Sequence, residues 1–173
     1  MPEHHMDDSG IDSTIGSTIE HVYGLFGAHT SIAALCDAIE LGSGMRDAVL
    51  VRIIDPSITL EEFRGIACPD RADAARRSAN VINLVLAEGP RHPSRDDGTR
   101  IMSAAEGISR EAWERNNADL HAVAAYLMWV CGDRGTCGLE ANAALAIDEH
   151  TPLAKLVLDL LEREDGMTRM TYR

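Results

Sequence analysis

The sequence predicts an all-α fold, a single helical bundle of about seven to nine helices that ends in a helical hairpin. Three observations carry this expectation. Apolar residues recur at i, i+3, i+4 and i+7 along most of the chain, which is the period of a helix. Aromatic residues are only 4% of the total while Ala and Leu are plentiful, a core easier to build from close-packed helices than from β-sheets, which favour β-branched and aromatic side chains. The chain has 173 residues, 45% of them hydrophobic and 25% charged, enough for one globular domain and cramped for two.

Residues 1–10 read as a disordered, acidic lead-in. Ile15, Ile19, Val22 and Phe26 then form one helical stripe, and Ile32, Leu35, Cys36 and Ile39 a second, punctuated by Gly27 and Gly42-Ser43-Gly44. Over residues 45–54 the apolar pairs at 49/50 and 53/54 favour a third helix, although the β-branched run also suits a buried strand. Asp55-Pro56 ends it either way. Thr59-Leu60-Glu61-Glu62 has the form of a capping box, so a short helix should run to about Ala67. Pro69-Asp70 opens a longer helix with Ala75, Ala79, Ile82 and Leu86 on one face, stopped by Gly89-Pro90. Residues 88–100 contain two prolines, two glycines and no apolar side chain. They read as a loop between an N-terminal helical subdomain (11–87) and a C-terminal one (101–165), with 166–173 as a tail.

The C-terminal third has the clearest pattern. Leu120, Val123, Ala124, Leu127, Met128 and Cys131 follow the helical period, and Ala122, Ala125, Tyr126 and Trp129 make the other faces apolar as well. A helix that is apolar all round belongs at the centre of the bundle. The turn Gly132-Asp133-Arg134-Gly135 leads to a helix whose stripe reads Leu139, Ala143, Ala146 and Ile147. Thr151-Pro152 then caps and opens the last helix. Leu153, Leu156, Val157, Leu160 and Leu161 line its inner side, with Lys155, Asp159 and Arg163 spaced outward for i, i+4 pairing. This stripe should dock on the central helix, and a homodimer seam is its alternative use. No internal repeat of fixed period is visible.

The segments 126–133, 141–146 and 152–156, together with Arg46-Asp47-Ala48-Val49-Leu50, resemble the actinobacterial "domain of unknown function 4192" family. That family shows an apolar helix ending in Trp and a Gly-Asp-Gly turn, an Ala-x-x-Ala-Leu helix, and a proline-opened leucine-rich helix. The resemblance spans residues 45–162. This chain has Gly132-Asp133-Arg134-Gly135 at the turn and lacks the family's α/β N-terminal half. The resemblance therefore implies a shortened, all-helical relative, as a phage or mobile-element version would be, and it implies no activity. The last helices are also loosely tetratricopeptide-like in arrangement, although their Trp, Gly, Ala and Pro spacings do not match that repeat.

Charge excludes whole classes of function. The formal net charge is −12, which gives no counterion-release driving force towards nucleic acid and none towards an anionic membrane. No apolar run is long enough for a membrane span, and no signal peptide is visible, so a cytoplasmic location is expected. Cys36, Cys131 and Cys137 lie in or beside apolar segments, consistent with buried, reduced thiols. Residues 1–45 hold seven acids and no Lys or Arg. A solvated acidic face is the plain interpretation, and mimicry of nucleic acid the functional one.

No catalytic, cofactor-binding or metal-binding residue is expected. Cys131 and Cys137 could join His121 or His150 around zinc, but no second Cys/His pair stands at metal spacing. His4-His5 reads as part of the tail. Asp119 and His121 are two residues apart on a helix and face different ways. Asp148-Glu149-His150 falls at a helix end, where capping is the usual use. No phosphate loop, nucleophile elbow or His-Glu-x-x-His is present. One candidate contact residue remains. Trp113 stands in the charged stretch 109–115, the composition of a binding hot spot, and folding onto the core beside Ile108 and Ala112 is its other reading. The expected function is therefore non-enzymatic binding of a protein partner. An acidic nucleic-acid mimic that inhibits a basic protein and a small enzyme with an unrecognised site are the alternatives.

Overall fold

A computed structural model describes residues 8–26, 31–68 and 93–171, and the helix expected over residues 69–86 lies outside them. Among the described residues there are eight helices and no strand. In chain order they are α1 (Asp8–Gly24), α2 (Ile32–Ile39), α3 (Ser43–Ile54), α4 (Leu60–Ala67), α5 (Arg95–Arg115), α6 (Ala118–Val130), α7 (Arg134–Ile147) and α8 (Pro152–Thr171). The β-branched run at 49–54 is helical.

Local signals explain most of the boundaries. Thr59 and Glu62 form the expected reciprocal capping box: the Thr59 hydroxyl accepts from the Glu62 N–H at 3.2 Å, and the Glu62 carboxylate accepts from the Thr59 N–H at 2.8 Å. Asn117 and Asp133 cap α6 and α7 through one bond each, their side-chain oxygens accepting from the Leu120 and Thr136 N–H groups. Asn116 closes α5 at φ 50°, the left-handed region that Asn tolerates better than most residues.

Three expected boundaries move. The helix α1 already includes residues 8–10, assigned above to the lead-in. Residues 95–100, expected as the end of a loop, are instead the first turns of α5. There the Ser94 hydroxyl accepts from the Asp97 N–H, and Asp96 and Asp97 place negative charge at the helix start. Finally, α8 runs through to Thr171, beyond the expected start of the tail at 166.

The helix α6 is the hub. Every residue from Leu120 to Val130 is buried, because α5, α7 and α8 pack around it while α2 and α3 reach it from the N-terminal half. One apolar core runs from Ile19 to Val157. Close approach occurs at two glycines. A Cβ on Gly107 of α5 would lie 2.9 Å from Ile32 Cγ1 of α2, and one on Gly44 of α3 would lie 2.4 Å from the Ala67 carbonyl oxygen of α4. Those separations admit no side chain, so the helices can touch only at glycine.

The stripe of α7 is rotated from the expected one. Its buried residues are Cys137, Glu140, Ala141 and Ala144, whereas Leu139 is 73% exposed and Ile147 is also exposed. Small residues on the inner face let α7 lie close against α6, a gain that outweighs burying one leucine. In α1, Ile19 and Val22 are buried but Ile15 is exposed. In α8, Leu153, Ala154 and Val157 are buried, with Leu156, Leu160 and Leu161 packed at the edge of the core. The stripe of α8 docks within the chain on α6 and α7.

Candidate functional site

Trp113 lies on α5 and is 65% exposed. Ile101, Ala105, Ile108 and Ala112 take the inner face of this helix, and position 113 lies about 100° beyond Ala112. The indole therefore stands at the rim of the buried face and does not enter the core. It rests edge-on against the His121 imidazole of α6, with ring centroids 4.7 Å apart and planes at 83°.

His121 is fully buried. Its Nδ1 lies 2.6 Å from Glu140 Oε2 on α7. The other carboxylate oxygen, Oε1, accepts a hydrogen bond of 2.8 Å from the Ser109 hydroxyl on α5. An ionised carboxylate only accepts, so this contact puts a proton on Nδ1. His121 Nε2 is buried with no hydrogen-bond partner among the described residues. Ser109, Glu140 and His121 thus tie α5, α7 and α6 together beneath Trp113.

The order of this cluster decides its chemistry. A hydroxyl nucleophile needs the imidazole beside it to take its proton, with the carboxylate behind the imidazole. Here the carboxylate is in the middle, and Ser109 and His121 both hydrogen-bond to it. The cluster fixes three helices and the platform under Trp113, and it does not activate Ser109.

The remaining sequence candidates are dispersed. Asp119 points away from His121 and accepts from Arg46 Nη1 of α3 at 2.8 Å. His150 is exposed beside Glu149. Cys137 is buried and Cys131 partly so; burial pushes both thiols up, Cys137 to about 11, which keeps them protonated and poor as ligands or nucleophiles. Among the described residues no group of three or more His, Cys, Asp or Glu is placed to hold a metal ion. An open depression of about 470 Å³ runs along α5, lined by Arg95, Gly98, Thr99, Met102, Ser103, Glu106 and Cys131; in it the Cys131 thiol donates to the Gly98 carbonyl at 3.7 Å.

The acids of the N-terminal region are partly neutralised inside the chain. Glu20 pairs with Arg64 at 2.8 Å, Asp37 with Arg115 at 2.6 Å and Glu40 with Arg115 at 3.4 Å. Glu40 also accepts from Asn117.

Sequence reasoning singled out Trp113 but not the Ser109–Glu140–His121 cluster beneath it. A signal was available. His121 is the one basic residue in a helix apolar on every side, and a buried imidazole requires a partner. No protein-family model, curated protein or solved structure matches this chain.

Proposed function

We infer that this chain is a non-enzymatic interaction module that engages a protein partner through the outward face of α5 around Trp113. One observation carries the reading: a large aromatic side chain is held in the open, on a long helix, against a buried hydrogen-bonded platform. Tryptophan in such a rigid setting presents much contact area at little entropic cost, which is why it dominates binding hot spots. The reversed order of the serine, carboxylate and imidazole weighs against the enzyme reading. The pairing of Glu20, Asp37 and Glu40 with the chain's own Arg64, Arg115 and Asn117 weighs against nucleic-acid mimicry, which needs unpaired acids in rows. The free thiols of Cys36, Cys131 and Cys137 accord with a cytoplasmic setting.

The test is site-specific photo-crosslinking in cells that make the protein at native levels. A photoreactive residue at position 113 should form one discrete protein adduct, and the same residue at Asp159, on the outer side of α8, should form none. Equal, diffuse labelling at both positions would refute the assignment of this face.

A further inference from the structure

We propose that the partner on this face is a second copy of the chain, bound through antiparallel pairing of α5 with its symmetry mate. The proposal rests on the reading of Trp113 as a contact residue and names what it contacts. Glu106, Arg110 and Glu114 stand at i, i+4 and i+8 on the exposed side of α5, within an arc of about 80°, with Trp113 about 60° to one side of Arg110. Among the described residues none of these three charges forms an ion pair. The inward side of the same helix differs, since Arg115 is matched there by Asp37, Glu40 and Glu111.

A two-fold interface must be complementary to itself. Antiparallel pairing about a two-fold axis at the level of residue 112 sets Arg110 of each copy opposite Glu114 of the other, giving two equivalent ion pairs. The same axis keeps both Trp113 side chains on one lateral side, about 3 Å apart along the helix direction, so that they pack together between the pairs. Parallel, in-register pairing would instead set Arg110 against Arg110. With a net charge of −12, two copies repel at long range, so a contact that matches charge locally is the arrangement that permits association.

The experiment is light scattering after size exclusion on the full chain, over a concentration series, with circular dichroism to verify the fold of each variant. The wild type should dimerise. Arg110→Glu and Glu114→Arg should each be monomeric, because each sets like charges against one another. An equimolar mixture of these two variants should form a heterodimer, since one chain then supplies two acids and the other two arginines. The exchange of both residues within one chain should restore the homodimer. Trp113→Ala should weaken the dimer by at least about tenfold. A wild type that stays monomeric, a dimer that survives Arg110→Glu, or a mixture that fails to pair would each overturn the proposal. A monomer that still cross-links a different protein at position 113 would overturn the second-copy inference alone and leave the reading of Trp113 as a contact residue standing. A monomer that cross-links nothing there would overturn both.

Discussion

His121 Nδ1 and Glu140 Oε2 lie 2.6 Å apart between α6 and α7, with the imidazole fully buried and the carboxylate nearly so. Neither group can be re-solvated without separating the two helices. The pair is therefore conditional: each partner makes the burial of the other tolerable, while the pair as a whole need not add net stability over apolar residues.

That asymmetry is measurable in a double-mutant cycle. Glu140→Leu alone leaves His121 and the Ser109 hydroxyl without their acceptor and should cost roughly 3–5 kcal/mol. His121→Leu alone leaves Glu140 buried with only Ser109 and should cost a similar amount. The double variant should cost clearly less than the sum, because no polar partner is then abandoned. Urea unfolding of the four proteins gives the coupling. Simple additivity would mean that the two side chains do not depend on each other.

The buried thiols make a second prediction. Burial pushes Cys36 up to about 12 and Cys137 to about 11, whereas the unfolded chain releases thiol protons near pH 8.5. Their folded values are raised, so their contribution is intact below about pH 8.5. It is lost as pH climbs towards 12, because the unfolded state then holds fewer protons than the folded one. Stability measured by denaturant should fall across that alkaline window, and Cys36→Ala should flatten the slope. Tyr126, whose hydroxyl burial also pushes up, adds to the same slope, so the test is the difference between variants. An unchanged slope would mean that water reaches Cys36.

Much of the fold was legible in the sequence because its signals are local. The Thr59–Glu62 box, the all-round apolar helix 118–130 and the proline-opened last helix each declare themselves within a few residues. Less legible were features that depend on which neighbour arrives. Residues 95–100 look like a loop by composition, yet Ser94 and Asp97 make a cap that overrides Gly98. The stripe of α7 was read through its larger apolar residues, Leu139 and Ile147, while the packed helix buries Cys137, Ala141 and Ala144. Trp113 stood out by type, but its platform did not, because Ser109, His121 and Glu140 come from three helices and meet only in the folded chain.

The close approach at Gly44 predicts a reversal of helix propensity. In an unobstructed helix, replacing Gly by Ala gains up to about 1 kcal/mol. At Gly16 of α1 nothing lies within 4 Å of the added Cβ, so Gly16→Ala should raise the thermal midpoint. At Gly44 the same methyl would stand 2.4 Å from the Ala67 carbonyl oxygen, a backbone atom that moves only if α4 moves. Gly44→Ala should therefore destabilise by roughly 1–3 kcal/mol despite its better propensity. Thermal unfolding of both variants decides it, and a stabilising Gly44→Ala would mean that α3 and α4 are less closely joined.

The register of α7 gives the sharpest contrast between composition and packing. By residue type Leu139 is the expected core residue and Ala144 the incidental one. By position the roles are exchanged, since Leu139 is 73% exposed and Ala144 is fully buried. Leu139→Glu should then alter stability by no more than about 0.5 kcal/mol, the usual range for an exposed position. Ala144→Leu adds three carbons where α7 meets its neighbours and should cost about 1–3 kcal/mol through overpacking. Urea midpoints of the two variants test this directly. If Leu139→Glu is the damaging change and Ala144→Leu is tolerated, α7 is rotated about its axis from the arrangement described. Glu140 could not then reach both His121 and Ser109, and the platform beneath Trp113 would not exist.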